Sequence, residues 1–173
     1  MARKVGSAEY RVEPLAPNHD RSVFSCGVSE LDAYLQRQAS QDLKRNLAAV
    51  FILTADGNNV AGFYTLTALS ILATDLPDNL AKKLPRYPLP VTLLGRMAVA
   101  QSLHGQGWGE FLLLHALKRA WIGSRQVASW AVVVDAKAGA REFYLYQDFT
   151  PTPDRPDRLV IPMKAIERMF DPS

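Results

Sequence analysis

Three glycines alternate with other residues directly after a histidine past the middle of the chain. His104 is followed by Gly105, Gly107 and Gly109. Glycines at this spacing let the backbone curl so that successive N–H groups converge, and a helix starting there adds the positive end of its dipole. The residues therefore favour binding of an anionic group such as a phosphate.

The glycines do not fit the two commonest nucleotide-binding loops. A P-loop needs a Lys-Ser or Lys-Thr pair at a fixed distance after the glycines, and the chain has none there. Asp135, which ends a later apolar run, lies too far along the chain to bind the ribose of a dinucleotide. An NTP or NAD site is thus disfavoured, while a purely structural glycine turn stays open as an alternative.

The segments on either side predict where the glycine loop lies. Residues 90–99 are an apolar run typical of a strand, and apolar residues recur at helical spacing from Phe111 to Ala120. The loop therefore joins the end of a strand to the start of a helix, where free backbone N–H groups can meet an anion.

The rest of the chain predicts further strands and helices. These are a strand at residues 10–14, a helix at 29–44, hairpin strands at 48–53 and 60–70, a helical turn at 80–84, a strand at 127–134, a helix at 138–146, a strand at 159–161 and a helix at 164–170. Because a hairpin is combined with strand-helix pairs, we expect a mixed sheet covered by helices, of class α/β or α+β.

Composition and charge are those of an ordinary globular protein. The 173 residues are 48% apolar and 21% charged, which argues against a disordered or fibrous chain and predicts one domain over residues 1–173. Residues 1–9 are expected to be frayed. The net charge of +3 permits a polyanionic partner without requiring one.

Several function classes are disfavoured by what the chain lacks. Cys26 is the single cysteine, so no internal disulfide or cysteine zinc site is expected, and a reducing cytoplasm is favoured. His115 has no ligand partners at metal spacing, so no metal site is expected. No apolar run reaches the roughly 18 residues that span a bilayer, so neither membrane insertion nor export is expected.

The strand, loop and helix together resemble the signature of the GNAT superfamily of acetyl-coenzyme A dependent N-acetyltransferases. That signature is Gln/Arg-x-x-Gly-x-Gly/Ala, and the chain has His104-x-x-Gly107-x-Gly109. Further fragments along nearly the whole chain resemble one subgroup, the GNAT toxins of the TacT and AtaT kind. They are Phe24-Ser25-Cys26, Glu30-Leu31-Asp32-x-Tyr34-Leu35, Gln38-Ala39, Gly62-Phe63-Tyr64-Thr65-Leu66, Leu84-Pro85-Arg86-Tyr87-Pro88, Leu94-Gly95-Arg96 and Phe143-Tyr144. The resemblance implies the GNAT fold, a mixed central sheet with a V-shaped split flanked by helices.

The resemblance also implies acetyl-coenzyme A as acetyl donor and a place for it. The end of the strand would pair with the pantetheine arm through its backbone, and loop N–H groups would hold the pyrophosphate. A backbone N–H near Val99 would stabilise negative charge on the acetyl oxygen. The implied cofactor-binding residues are Met97, Ala98, Val99, His104, Gly105, Gln106, Gly107, Trp108, Gly109 and Glu110.

For catalysis, the resemblance assigns a proton donor to the penultimate helix. Tyr144 is the implied acid that protonates the leaving thiolate, and it is preferred to Tyr146, which lies about 200° further around a helix. The acceptor would be a neutral amine. Because the α-amine of an aminoacyl ester titrates at or below roughly 7.7, a useful fraction is neutral without a strong base, and the base stays unassigned.

The implied substrate is aminoacyl-tRNA, whose acetylated α-amine can no longer accept a peptide, so that translation stops. The implied partners are a ribbon-helix-helix antitoxin and a second copy of the chain in a homodimer. Candidate substrate contacts are Arg86, Arg96 and Asp135, although pairing inside the protein is the favoured interpretation of Arg96. Further candidates for a phosphate-facing surface are Lys44, Arg45, Lys82, Lys83, Lys118, Arg119, Arg125 and Arg141.

Three residues depart from the pattern of the family. His104 stands where Gln or Arg is usual and brings no permanent charge. Asp148 replaces a glycine expected in a left-handed helix cap. Trp108 is bulkier than the usual aliphatic residue, and core packing is favoured over a cover for the cofactor.

Two other functions stay open from the sequence. The first is a GNAT enzyme that acetylates a protein lysine or a small-molecule amine and is not a toxin. The second is a non-catalytic module that binds coenzyme A or RNA.

Overall fold

Eight strands and six α-helices form the structure, a computed structural model that describes residues 1–173. The strands are β1 (Ala2–Val5), β2 (Ala8–Pro14), β3 (Ala49–Thr54), β4 (Gly62–Ile71), β5 (Leu89–Val99), β6 (Ala131–Asp135), β7 (Thr150–Pro151) and β8 (Arg158–Pro162). The helices are α1 (Ser29–Ala33), α2 (Ala39–Lys44), α3 (Asp78–Ala81), α4 (Trp108–Ser124), α5 (Arg141–Tyr146) and α6 (Met163–Phe170).

The strand order is β1-β2-β3-β4-β5-β6-β8-β7, with both parallel and antiparallel neighbours. This confirms the expected mixed sheet flanked by helices. The chain divides into two compact units, a first unit of Met1–Thr67 with Gly95–Ala116 and a second unit of Ala68–Leu94 with Leu117–Ser173. None of the helices has the length and the apolar composition that spanning a bilayer requires.

In the first unit, β1, β2, β3 and the start of β4 pair in antiparallel fashion. Apolar side chains from residues 29–43 pack with those of the strands into one core. Its fully or almost fully buried members include Leu35, Ile52 and Phe63. This core supports the last residues of β5, because Ala98 belongs to it.

The predicted helix at residues 29–44 contains a wider turn. A π-helical segment, Tyr34–Gln38, joins α1 to α2. Such segments are rare inside helices and are found disproportionately at functional sites. The segment's buried side chains include Tyr34, whose contacts are described with the site below.

In the second unit, β6 lies between β5 and β8. It pairs in parallel with β5 over Thr92–Leu94 and antiparallel with β8 from Ala131 to Asp135. The three valines of β6 are all buried, which is typical of a central strand covered on both faces. The short β7 pairs only with β8.

Two expectations about the elements are wrong, and one short strand was not predicted. Residues 1–9 are not frayed, because β1 and β2 form a hairpin that turns at Gly6, with φ of 61°. Strand β6 begins at Ala131 rather than at residue 127, since Val127 is exposed. The two-residue strand β7 has no periodicity that a sequence pattern could reveal.

Candidate functional site

The glycine loop lies between the end of β5 and the start of α4, all within the first unit. Backbone hydrogen bonds fix the approach to it: Ala100 N–H donates to the Ala61 carbonyl, and Gln101 N–H donates to the Ser25 carbonyl, each with an N to O distance of 2.8 Å. One 3₁₀ turn, Gln101–Leu103, follows before the glycines. The loop is therefore anchored to the first unit before the exposed glycines begin.

The loop backbone presents donors without protein partners. Gly105 and Gly107 have φ of 76° and 81°, which glycine adopts at little cost. The N–H groups of Gly105, Gln106 and Gly107 donate no hydrogen bond within the protein, and the first turn of α4 adds the unpaired N–H groups of a helix start. A Cβ at Gly105 would meet no atom within 4 Å, so the space beside it is open. These features fit the pyrophosphate of a coenzyme.

His104 connects the loop to the strand that precedes it. Its Nε2 lies 2.9 Å from the Val99 carbonyl oxygen and donates a hydrogen bond to it. The imidazole therefore fixes the end of β5 relative to the glycine loop. His104, which stands where Gln or Arg is usual, thus makes a structural contact with the strand. This contact requires neither a charge on the side chain nor a bound phosphate.

Trp108, the first residue of α4, packs in the core of the first unit. It is 1% exposed and lies against the Tyr10 ring with 4.5 Å between ring centroids. The Arg3 guanidinium covers the indole at 4.1 Å from the ring centroid. The favoured core packing of Trp108 is confirmed, although its buried indole N–H has no hydrogen-bond partner.

Tyr144 lies in the second unit, on α5. Its side chain is buried against the rings of Phe143 and Phe149, at centroid distances of 5.2 and 5.4 Å. Burial raises the pKa of the Tyr144 hydroxyl to about 12, and the hydroxyl has no hydrogen bond to protein. The group thus holds its proton firmly at neutral pH. By contrast, Tyr146 is 83% exposed.

The end of α5 is capped by Asp148 in the left-handed conformation. Its φ is 67°, as expected for a position where glycine is usual. The N–H groups of Gln147 and Phe149 both donate to the Tyr144 carbonyl. The cap therefore fixes the backbone of Tyr144 and turns Phe149 back against its ring.

Arg96, on β5, is held by stacking. Its guanidinium carbon lies 3.7 Å from the centroid of the Tyr34 ring, and the Tyr34 hydroxyl donates to an Asp42 oxygen at 2.8 Å. Burial, followed by the hydrogen bond to Asp42, raises the pKa of Tyr34 to about 12. A hydrogen bond from Gln38 contributes most to lowering the pKa of Asp42. Arg96 is thus positioned by the π-helical segment through a cation–π contact.

Asp135 and Arg86, the other candidate substrate contacts, differ in their surroundings. Arg158 donates to both carboxylate oxygens of Asp135, at 2.7 and 2.8 Å, and these bonds hold the pKa of Asp135 below its usual range. The carboxylate is therefore already occupied in an ion pair. Arg86 is exposed on the segment before β5.

The predicted site residues thus fall into two separate groups. Those in the first unit are Arg96, Met97, Ala98 and Val99 on β5, His104, Gly105, Gln106 and Gly107 in the loop, and Trp108, Gly109 and Glu110 in the first turn of α4. Those in the second unit are Arg86, Asp135 and Tyr144. Arg3 was not predicted as a site residue; it donates to the Gln106 carbonyl over a separation of 103 residues, and no local sequence pattern signals such a contact.

Comparison with known proteins decides the family. Residues 16–149 match the acetyltransferase (GNAT) family. The chain belongs to this family. It is similar to the probable toxin TacT of Sinorhizobium fredii (strain NBRC 101917 / NGR234), with 30% identity covering 95% of this chain and 97% of that protein. It is also similar to the tRNA-acetylating toxin of Mycobacterium tuberculosis (strain ATCC 25618 / H37Rv), with 34% identity over 84% of this chain and 87% of that one.

Solved structures of GNAT toxins have the same fold. AtaT complexed with acetyl-methionyl-tRNAfMet has a TM-score of 0.87 and 30% identity, covering 93% of this chain and 99% of that one. A tyrosine-to-phenylalanine mutant of AtaT bound to the C-terminus of the antitoxin AtaR and acetyl-CoA has a TM-score of 0.80 and 27% identity, covering 94% and 98%. The GNAT fold expected from the sequence is confirmed.

Proposed function

We propose that this GNAT protein is a toxin that transfers the acetyl group of acetyl-coenzyme A to the α-amine of aminoacyl-tRNA and thereby blocks translation. The observation that carries the proposal is the set of unpaired N–H groups in the glycine loop at the start of α4. The similarity to AtaT, whose structure contains acetyl-methionyl-tRNAfMet, supports the substrate class.

In this proposal the first unit binds the coenzyme. The N–H groups of Gly105, Gln106 and Gly107 and of the first turn of α4, from Trp108 to Glu110, bind the pyrophosphate. The backbone of Met97–Val99 pairs with the pantetheine arm. The extent of strand pairing supports this. Strand β5 runs to Val99, but its parallel pairing with β6 covers only Thr92–Leu94, so the backbone of its last residues is not paired with β6.

The coenzyme supplies an acetyl thioester, and the chain supplies two kinds of group to its reaction with an amine. A backbone N–H near Val99 stabilises negative charge on the acetyl oxygen. Tyr144 donates its hydroxyl proton to the departing sulfur, and its pKa of about 12 keeps the hydroxyl in the protonated form at neutral pH. No side chain is needed to deprotonate the acceptor before attack, because part of an aminoacyl α-amine is neutral near pH 7, and the proton that the nitrogen loses on forming the amide passes to water.

The proposed acceptor is a large polyanion, and several cations of the chain are free to approach it. Exposed basic residues are Lys44, Arg45, Lys82, Lys83 and Arg86. Arg125 and Arg141 are less available, since Arg125 lies 3.4 Å from Glu167 and Arg141 donates to the Pro156 carbonyl. The net charge of +3 is compatible with such a partner. We propose that contacts between these cations and the tRNA phosphates provide binding affinity, while the aminoacyl amine is the group that reacts.

The proposed partners follow the similarity to AtaT. A structure of AtaT contains the C-terminus of the antitoxin AtaR, so we propose that a cognate antitoxin, of the ribbon-helix-helix type, neutralises this chain. We further propose a homodimer acting in the cytoplasm, where charged tRNA is found.

The test of this function is a choice among acceptors. The purified chain would receive radiolabelled acetyl-coenzyme A together with charged total tRNA, the same tRNA after deacylation, or lysine-containing peptides. Label on charged tRNA alone is expected, and alkaline release of the label as N-acetyl amino acid would place it on the α-amine. Label on peptides and none on charged tRNA would instead establish the alternative GNAT activity on lysine.

A further inference from the structure

Arg3, on the first strand of the chain, contacts the glycine loop. Its guanidinium donates to the Gln106 carbonyl oxygen at 2.7 Å. A Cβ at Gly107 would lie 3.6 Å from another guanidinium nitrogen of Arg3. The side chain therefore lies directly against the peptide that joins these two loop residues.

The hydrogen bond fixes the orientation of that peptide. In a trans peptide the carbonyl oxygen and the N–H point in opposite directions, so holding the Gln106 oxygen toward Arg3 holds the Gly107 N–H away from it. Rotation of this peptide changes ψ of Gln106 and φ of Gly107, and Gly107, whose φ is 81°, adopts other φ values at little cost. Arg3 supplies the restraint that Gly107 lacks.

Arg3 is itself held in place by its surroundings. Its guanidinium stacks on the Trp108 ring, which also contacts Tyr10 of β2. Strand β1 pairs with β2 through Arg3 opposite Tyr10. The bulky residue that departs from the family pattern at position 108 thus serves as the platform for the arginine.

We propose that Arg3 is a positioning residue for coenzyme binding, which orients the Gly107 N–H toward the pyrophosphate. The inference rests on the proposed use of the loop as the pyrophosphate site. Arg3 acts through the loop peptide, because its hydrogen bond is on the side of the peptide opposite the N–H. Its effect is therefore confined to ligands that carry the pyrophosphate.

The test compares Arg3→Met with Lys4→Met. Methionine keeps an apolar stem on the Trp108 ring but removes the hydrogen-bond donors of the guanidinium. The control Lys4→Met removes one positive charge from the exposed neighbouring residue on β1. Isothermal titration with coenzyme A is expected to give a Kd about tenfold higher for Arg3→Met, in keeping with the loss of one charge-assisted hydrogen bond, and no change for Lys4→Met. NMR titration with pantetheine, which lacks the pyrophosphate, is expected to give equal affinities for all three proteins.

Each contrary result has a distinct meaning. Equal coenzyme A affinity of wild type and Arg3→Met would overturn the role of Arg3 while leaving the proposed function intact. An equal loss for pantetheine would also overturn it, because it would show general damage from a loosened β1. Failure of the wild-type chain to bind coenzyme A at all would contradict the proposed function as well.

Discussion

At Tyr144, the surrounding aromatic rings decide the protonation state of the hydroxyl. Burial disfavours the phenolate and raises the pKa to about 12, so the form that can donate a proton persists well above neutral pH. We expect kcat for acetyl transfer to show no fall caused by Tyr144 up to about pH 10. The pH dependence of kcat at saturating substrates tests this. A fall in kcat that is centred below about pH 10 and is absent in Tyr144→Phe would contradict it.

Individual residues differ in how far the sequence could predict them. The glycines and Tyr144 stand in short ordered motifs, so their positions follow from local sequence and resemblance. The contact between Arg3 and Gln106 depends on a hairpin that brings the chain start to a loop about one hundred residues later. The pairing of Asp135 with Arg158 likewise depends on the register between β6 and β8, which no local pattern gives.

Within β4, Gly62 permits a close approach that positions the end of β5. A Cβ there would lie 2.8 Å from the Ala98 carbonyl oxygen and 3.0 Å from a Leu112 methyl carbon. We expect Gly62→Ala to lower the free energy of unfolding by about 1–3 kcal/mol, because a backbone oxygen must shift to admit the methyl group. Coenzyme A affinity should fall too, since Ala98 lies in the proposed pantetheine-binding stretch.

Gly123→Ala is the matched control for that change. Gly123 lies in α4 with nothing within 4 Å of an added Cβ. Alanine there is expected to raise the free energy of unfolding by roughly 0.5–1 kcal/mol and to leave coenzyme binding unchanged. Chemical denaturation and titration calorimetry measure both effects, and equal stability of Gly62→Ala and wild type would refute the close-approach argument.

Among the elements, those with strong periodicity or apolar runs were predictable and those defined by pairing alone were not. The helical pattern of residues 29–44 gives a helix but not the π-helical segment Tyr34–Gln38, which depends on tertiary packing of its buried side chains. Strand β1 is four residues long and mostly exposed, so its existence depends on pairing with β2.

For the whole molecule, carboxylates that form ion pairs in the folded state make the free energy of unfolding decrease as the pH is lowered. The hydrogen bonds from Arg158 lower the pKa of Asp135 in the folded state, so the pair contributes at neutral pH and is lost as pH drops below roughly 4. Because the carboxylate is partly exposed, its contribution is below about 1 kcal/mol.

Asp135→Asn tests this contribution against Asp154→Asn, which removes an exposed carboxylate. Thermal unfolding is expected to show Asp135→Asn less stable than wild type near pH 7 and equal to it near the acid limit, whereas Asp154→Asn follows wild type throughout. A constant deficit of Asp135→Asn at all pH values would show that the ion pair is not its source.

The proposed reaction is acetylation of aminoacyl-tRNA with Tyr144 as proton donor. The most direct measurement is the single-turnover rate of label transfer from acetyl-coenzyme A to charged tRNA by wild type, Tyr144→Phe and the control Tyr146→Phe. We expect a loss of about 10²-fold to 10⁴-fold for Tyr144→Phe at unchanged coenzyme affinity, and none for the exposed Tyr146→Phe. Transfer by Tyr144→Phe at the wild-type rate, or no transfer to charged tRNA by the wild type, would contradict it.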